Sequence, residues 1–167
     1  MEASENGTSR TMKVGNAAVS VIRAVEPEVC VEILEVLNRH LQETCQGWTK
    51  ARHDLYPTTD IPLSEIPELY ELWETTLEET ILPQIIDLYS ERDEIVASDL
   101  FIVKYCADEG EQRALALHQD DSAYSFNLLL SDPSTDFRGG GTYFDKPFDR
   151  IVAIERGTSL SNPSKPL

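Results

Sequence analysis

Residues Leu100 to Asp145 read LFIVKYCADEGEQRALALHQDDSAYSFNLLLSDPSTDFRGGGTYFD, and the fold turns on this stretch. LFIVKYC (Leu100 to Cys106) is a β-branched and aromatic run of strand length, followed by a turn at Asp108 to Gly110. YSFNLLL (Tyr124 to Leu130) has the two-residue period of a half-buried strand, with Tyr124, Phe126, Leu128 and Leu130 on one face. SDPSTDFRGGG is a turn-rich connection, and TYF (Thr142 to Phe144) and RIVAIE (Arg150 to Glu155) are further strand candidates. Gly157 opens another turn.

Outward from this stretch toward the N-terminus the period changes. Val29, Ile33, Leu37 and Leu41 recur every four residues behind Pro27, which predicts an amphipathic helix ending near Gly47. Residues 48–64, rich in Pro, Thr and Asp, read as a loop. A second helix is expected from Pro67, with Leu69, Trp73, Leu77 and Ile81 as its apolar stripe and Pro83 as a kink or break. Ala17 to Ala24 suits a short first strand, and residues 1–16 read as a disordered tail. The expectation is one domain over 17–167, with a helical part over about 26–90 and a β core over about 99–167. Helices before strands suggests an α+β class, with helices packed on a sandwich or barrel.

The chain carries 30 acidic against 14 basic residues, a net charge of −16. Such a balance repels a phosphate backbone, so nucleic acid is not the expected partner, whereas a basic protein or peptide is compatible. The charge serves equally as a solubilising surface. Cys30, Cys45 and Cys106 form no short-spaced pair and read as free thiols of a reducing compartment. With no apolar leader and no apolar run of membrane length visible, the expected location is cytosol or nucleus.

The chemistry-bearing candidate is Ala116-Leu117-His118-Gln119-Asp120-Asp121. On a strand, residues i and i+2 point to one side, so His118 and Asp120 would offer an imidazole and a carboxylate to one point. These are two of the three donors in the facial triad of non-haem iron(II) oxygenases. The same tripeptide also suits a surface loop with both aspartates solvated. His40 and His53 read as solvated or capping residues. Tyr105 suits core packing with its hydroxyl at the rim, and Asn127 a strand residue satisfied by backbone. Gly139-Gly140-Gly141 suits a tight turn better than direct contact with substrate.

Taken in order, Lys104-Tyr105, His118-x-Asp120, Phe126-Asn127-Leu128 and Gly139 to Phe144 resemble the catalytic core of the prolyl 4-hydroxylase and procollagen lysyl hydroxylase group of 2-oxoglutarate oxygenases, nearer the lysyl branch. The resemblance covers roughly residues 99–165. It implies a double-stranded β-helix, jelly-roll-like core supported by helices. It implies iron(II) on His118 and Asp120, 2-oxoglutarate against Tyr105 and Asn127, ascorbate to keep the iron reduced, and hydroxylation of a prolyl or lysyl side chain of a protein. The family also uses a distal histidine and, about ten residues on, an Arg or Lys for the far carboxylate of 2-oxoglutarate. RGTSLSNPSKPL (Arg156 to Leu167) resembles the stretch leading to that histidine, and neither residue follows. The expectation is a truncated oxygenase domain with an incomplete barrel, two iron ligands and marginal stability. The alternative function is a non-catalytic module of the same fold that recognises a basic partner.

Overall fold

The computed structural model describes residues 2–6, 9–14, 17–44, 47–89 and 95–164. Three strands come first: β1 (Glu2–Asn6), β2 (Ser9–Val14) and β3 (Ala17–Arg23). The 17-residue helix α1 (Pro27–Glu43) follows, started by Pro27 at a position where the missing N–H costs nothing. Next are β4 (Asp60–Pro62), α2 (Pro67–Thr76) and α3 (Leu82–Tyr89). The C-terminal half contains β5 (Phe101–Val103), β6 (Tyr124–Leu128), β7 (Thr142–Phe144), β8 (Arg150–Val152) and β9 (Thr158–Pro163).

The strands make a five-stranded sheet in the order β1-β2-β3-β9-β6 and two antiparallel pairs, β4-β5 and β7-β8. Every pairing in the five-stranded sheet is antiparallel. One face of this sheet lies on the helices. Phe126 sits opposite Ser161, which sits opposite Ser20, and Leu128, Ser159 and Ile22 form the next row. Tyr124, Phe126, Leu128 and Leu130 pack against a helical core of Ile33, Leu37, Leu69, Trp73, Ile81 and Ile85, as the alternation in YSFNLLL predicts. Tyr89 closes the layer: its ring stacks on Tyr124 at 4.8 Å and its hydroxyl donates toward the carbonyls of Ala18 and Ser161, each at 3.3 Å. The other face carries Met12, Val19 and Leu160, covered by Val152 and by Phe144, Phe148 and Ile154 around the β7-β8 hairpin.

Four sequence expectations change. Residues 2–6 and 9–14, expected within a disordered tail, form β1 and β2. The alternation in SRTMKV turns Met12 inward opposite Val19, so one side of a polar-looking segment is buried. With the expected first strand, seen as Ala17–Arg23, three strands therefore precede the helices, not one. The loop of residues 48–64 contains β4, which pairs with β5. Finally, Thr158 to Pro163 forms β9, an interior strand between β3 and β6, although only Leu160 is a large apolar residue there. Its buried Ser159 and Ser161 are small enough to bring the sheet close under the helices. Met1, Cys45 and residues 165–167 lie outside the described residues.

Pro83 acts as expected. A π-helical turn over Leu77–Ile81 separates α2 from α3, because proline donates no hydrogen bond to the carbonyl four residues back and its ring crowds that carbonyl. Leu77 and Ile81 nevertheless stay in the core. The glycine run also serves as a turn: at Gly141 (φ +100°) a Cβ would lie 2.7 Å from Ile151, so β7 reaches β8 only with glycine there. No described helix is long and apolar enough to cross a membrane.

Candidate metal centre

His118 and Asp120 converge, but not by the route their spacing suggests. Residues 104–123 form no regular strand, and Leu117 beside the histidine is 61% exposed. The i, i+2 geometry of a strand therefore does not aim these side chains. Local hydrogen bonds do. His118 Nδ1 lies 2.8 Å from the carbonyl of Ala116, and His118 Nε2 lies 3.0 Å from Asp120 Oδ1. The second Asp120 oxygen accepts a short hydrogen bond from Ser125 Oγ.

Sequence reasoning passed over the serines. Ser122, Ser125 and Ser164 form a closed triangle, with Oγ–Oγ separations of 3.0 Å (Ser122 to Ser125), 3.1 Å (Ser122 to Ser164) and 3.0 Å (Ser125 to Ser164). This triangle ties the irregular segment to β6 and to the end of β9. It leaves one carboxylate oxygen of Asp120 facing the imidazole. The available signal was that Ser125 and Asn127 are two apart on a strand and so share a face. That face is opposite to the one bearing Phe126, on the side where Asn127 pairs with the buried Leu160.

The hydrogen-bond partners set the tautomer of His118. A carbonyl only accepts hydrogen bonds, so Nδ1 carries the proton that faces Ala116. Nε2 then points at a carboxylate oxygen, and two lone pairs meet at 3.0 Å unless a proton or a metal ion lies between them. A histidine whose remote nitrogen is committed to a backbone carbonyl is also the usual arrangement of a metal-binding imidazole. His118 and Asp120 thus present one imidazole and one carboxylate side by side, donor types that an iron site uses. Among the described residues, no group of three or more His, Cys, Asp or Glu is placed to hold a metal ion.

Neither other histidine joins them. His40 lies in α1, where its carbonyl accepts the capping bond of Thr44. His53 Nε2 is 3.7 Å from Asp60 Oδ2, and its ring lies against Phe101. Tyr105 follows β5 and is 52% exposed; partial burial raises its phenol above the ordinary value, so it remains a neutral donor. Asn127 is exposed on β6. Neither makes a side-chain hydrogen bond to another described residue, which leaves both polar ends available. Cys30 is fully buried and its thiol is pushed up by that burial, so it is an inert core group.

No protein-family model matches the chain. It is 29% identical over 141 residues to procollagen-lysine,2-oxoglutarate 5-dioxygenase 1 of Bos taurus, covering 81% of the chain and 19% of that protein. The human protein of the same name is 34% identical over 110 residues, covering 65% of the chain and 15% of the relative. The procollagen lysyl hydroxylase and glycosyltransferase of Acanthamoeba polyphaga mimivirus is 27% identical over 128 residues, covering 71% and 13%. The chain therefore spans about a fifth or less of the length of these curated relatives.

Proposed function

We propose that the chain carries the iron(II)- and 2-oxoglutarate-binding face of a dioxygenase that hydroxylates a lysyl or prolyl side chain of a protein. The observation that carries this reading is the convergence of His118 Nε2 and Asp120 Oδ1 at 3.0 Å, which sets an imidazole and a carboxylate side by side as two donors of one centre would be. The similarity to proteins named as procollagen-lysine 2-oxoglutarate dioxygenases supports the reaction class. The layering of the five-stranded sheet against the β7-β8 hairpin suits a double-stranded β-helix core.

In this reading iron(II), when bound, supplies O₂ activation coupled to decarboxylation of 2-oxoglutarate, with ascorbate as its reductant. His118 and Asp120 hold it, and a third donor completes the facial triad. Ser125, braced by Ser122 and Ser164, fixes which Asp120 oxygen faces the metal. The neutral Tyr105 hydroxyl and the Asn127 amide donate to the carboxylates of 2-oxoglutarate. The net charge of −16 suits a basic peptide substrate.

Calorimetric titration of the metal-free chain with Co(II), a redox-stable stand-in for iron(II), tests the site. One ion per chain is expected, with binding lost in His118→Ala and Asp120→Ala. O₂-dependent succinate formation with iron(II), ascorbate and a lysine- or proline-containing peptide then tests the reaction. Cation uptake that is unchanged in both variants overturns the reading.

A further inference from the structure

One side chain at the centre has no assigned role. The Tyr56 ring packs against that of His118, with centroids 5.0 Å apart and planes tilted by 33°. The residue comes from far upstream and sits next to Leu55, which is 87% exposed at the tip of its loop. A loop tip this open does not cover an imidazole by hydrophobic collapse. The loop has to be held there, and its base shows how.

Thr49 and Asp60 exchange two backbone hydrogen bonds, at 2.9 and 3.0 Å, which close residues 49–60 into a ring. The Asp60 carboxylate is completely buried inside the neck of that ring. It accepts from Arg52 Nη1 at 2.9 Å and from the Thr58 hydroxyl. The same guanidinium donates to Asp99 at 2.7 Å and lies 4.9 Å over the Phe101 ring. Lys104 N donates to the Thr59 carbonyl at 2.8 Å, so the neck is fastened to β5 and to the segment leading toward His118. A buried, fully engaged carboxylate resists opening, because separating it from Arg52 would leave a charge without its partner.

We propose that Tyr56 is a positioning residue for His118, and that residues 49–60 form a pinned strap whose task is to deliver its ring. The Nδ1 bond to Ala116 sets the edge of the imidazole, but rotation about that bond leaves its tilt free. The face of Tyr56 removes this freedom, so Nε2 stays aimed at Asp120 Oδ1. A tilted ring-on-ring contact requires the ring and not its hydroxyl. Tyr56→Phe should therefore preserve the effect, and Tyr56→Ala should remove it. Tyr56 is 40% exposed on a loop, so neither change threatens the fold.

The proposal rests on the iron-site reading for one of its two readouts only. The first readout is the imidazole resonances of His118 in the metal-free chain, assigned by their absence in His118→Ala. Tyr56→Ala should shift them downfield as the ring current is lost, while Tyr56→Phe leaves them in place. The second is Co(II) affinity, expected to fall about tenfold in Tyr56→Ala and to stay within about twofold of the parent in Tyr56→Phe. Unmoved His118 resonances in Tyr56→Ala overturn the proposal, as does an unchanged Co(II) affinity or an equal loss in Tyr56→Phe. If the parent chain takes up no Co(II), the iron-site reading fails, while the ring-current shift still decides whether Tyr56 holds the imidazole.

Discussion

The helical half of the molecule and the segment around His118 are built by different means. Ile33, Leu69 and Ile81 are each 1% exposed and belong to one apolar cluster to which all three helices contribute a face. Residues 107–123 contain no regular element, and Leu117 is 61% exposed among them. The first region is held by area removed from water. The second is held by a few directed bonds: Nδ1 of His118 to Ala116, the serine triangle to Asp120, and the ring of Tyr56. Burial is forgiving in direction and large in energy, whereas hydrogen bonds are small in net energy and strict in direction. A core can tolerate the first kind of support, but the metal site proposed at His118 and Asp120 needs the second.

The sharpest way to break this contrast is a variant in each region with opposite signatures. Trp73→Ala empties the helical core and should cost about 3–5 kcal/mol of stability, measured by urea unfolding, because transfer and cavity costs add. His118→Ala should leave the unfolding curve within about 0.5 kcal/mol of the parent. In the same variant Co(II) binding should fall at least about a hundredfold, as the imidazole donor is lost. A large loss of stability in His118→Ala would show that the two regions are not separable in this way. Ser125→Ala sharpens the contrast further. It removes one hydrogen bond to Asp120 and should weaken Co(II) binding about tenfold, in titrations run beside a thermal melt that barely moves.

The smallest effect tests the seam between the helices and the five-stranded sheet, at Tyr89. Burial raises the Tyr89 phenol well above its ordinary value of 10.0. Its neutral form is favoured in the folded state, so its contribution is complete below pH 10, where the unfolded phenol is also protonated. As the pH rises beyond that value the unfolded phenol ionises first, and folded stability falls. Tyr89→Phe should cost about 0.5–1.5 kcal/mol at neutral pH. It should also flatten the loss of stability above pH 10, measured by unfolding across the alkaline range.

Patterns of one period were legible throughout. The stripe from Val29 to Leu41 became α1, Pro83 broke the second helix, and the alternation of Tyr124, Phe126 and Leu128 put those three side chains on the helices. Elements whose partners are distant in sequence were not legible. SRTMKV and TSLSNP look like polar segments because their burial comes from neighbouring strands and from the layers above and below. The centre divides in the same way. His118 and Asp120 stand out by residue type and by their order among Tyr105, Asn127 and the glycines, but the strand geometry expected to aim them is absent.

The sequence by itself determined the helical stripes, the inward face of β6, the glycine turn before β7 and the pair of donors, because each depends on residues within a few positions of one another. Only the tertiary structure decided that β9 lies between β3 and β6, that Ser164 at its end braces the carboxylate of Asp120 through Ser125, and that Tyr56 lies on His118. The physical reason is range. Periodicity records which way a side chain points from its own backbone, whereas a hydrogen bond or ring contact between residues 39 or 62 positions apart exists only once the chain has closed around it.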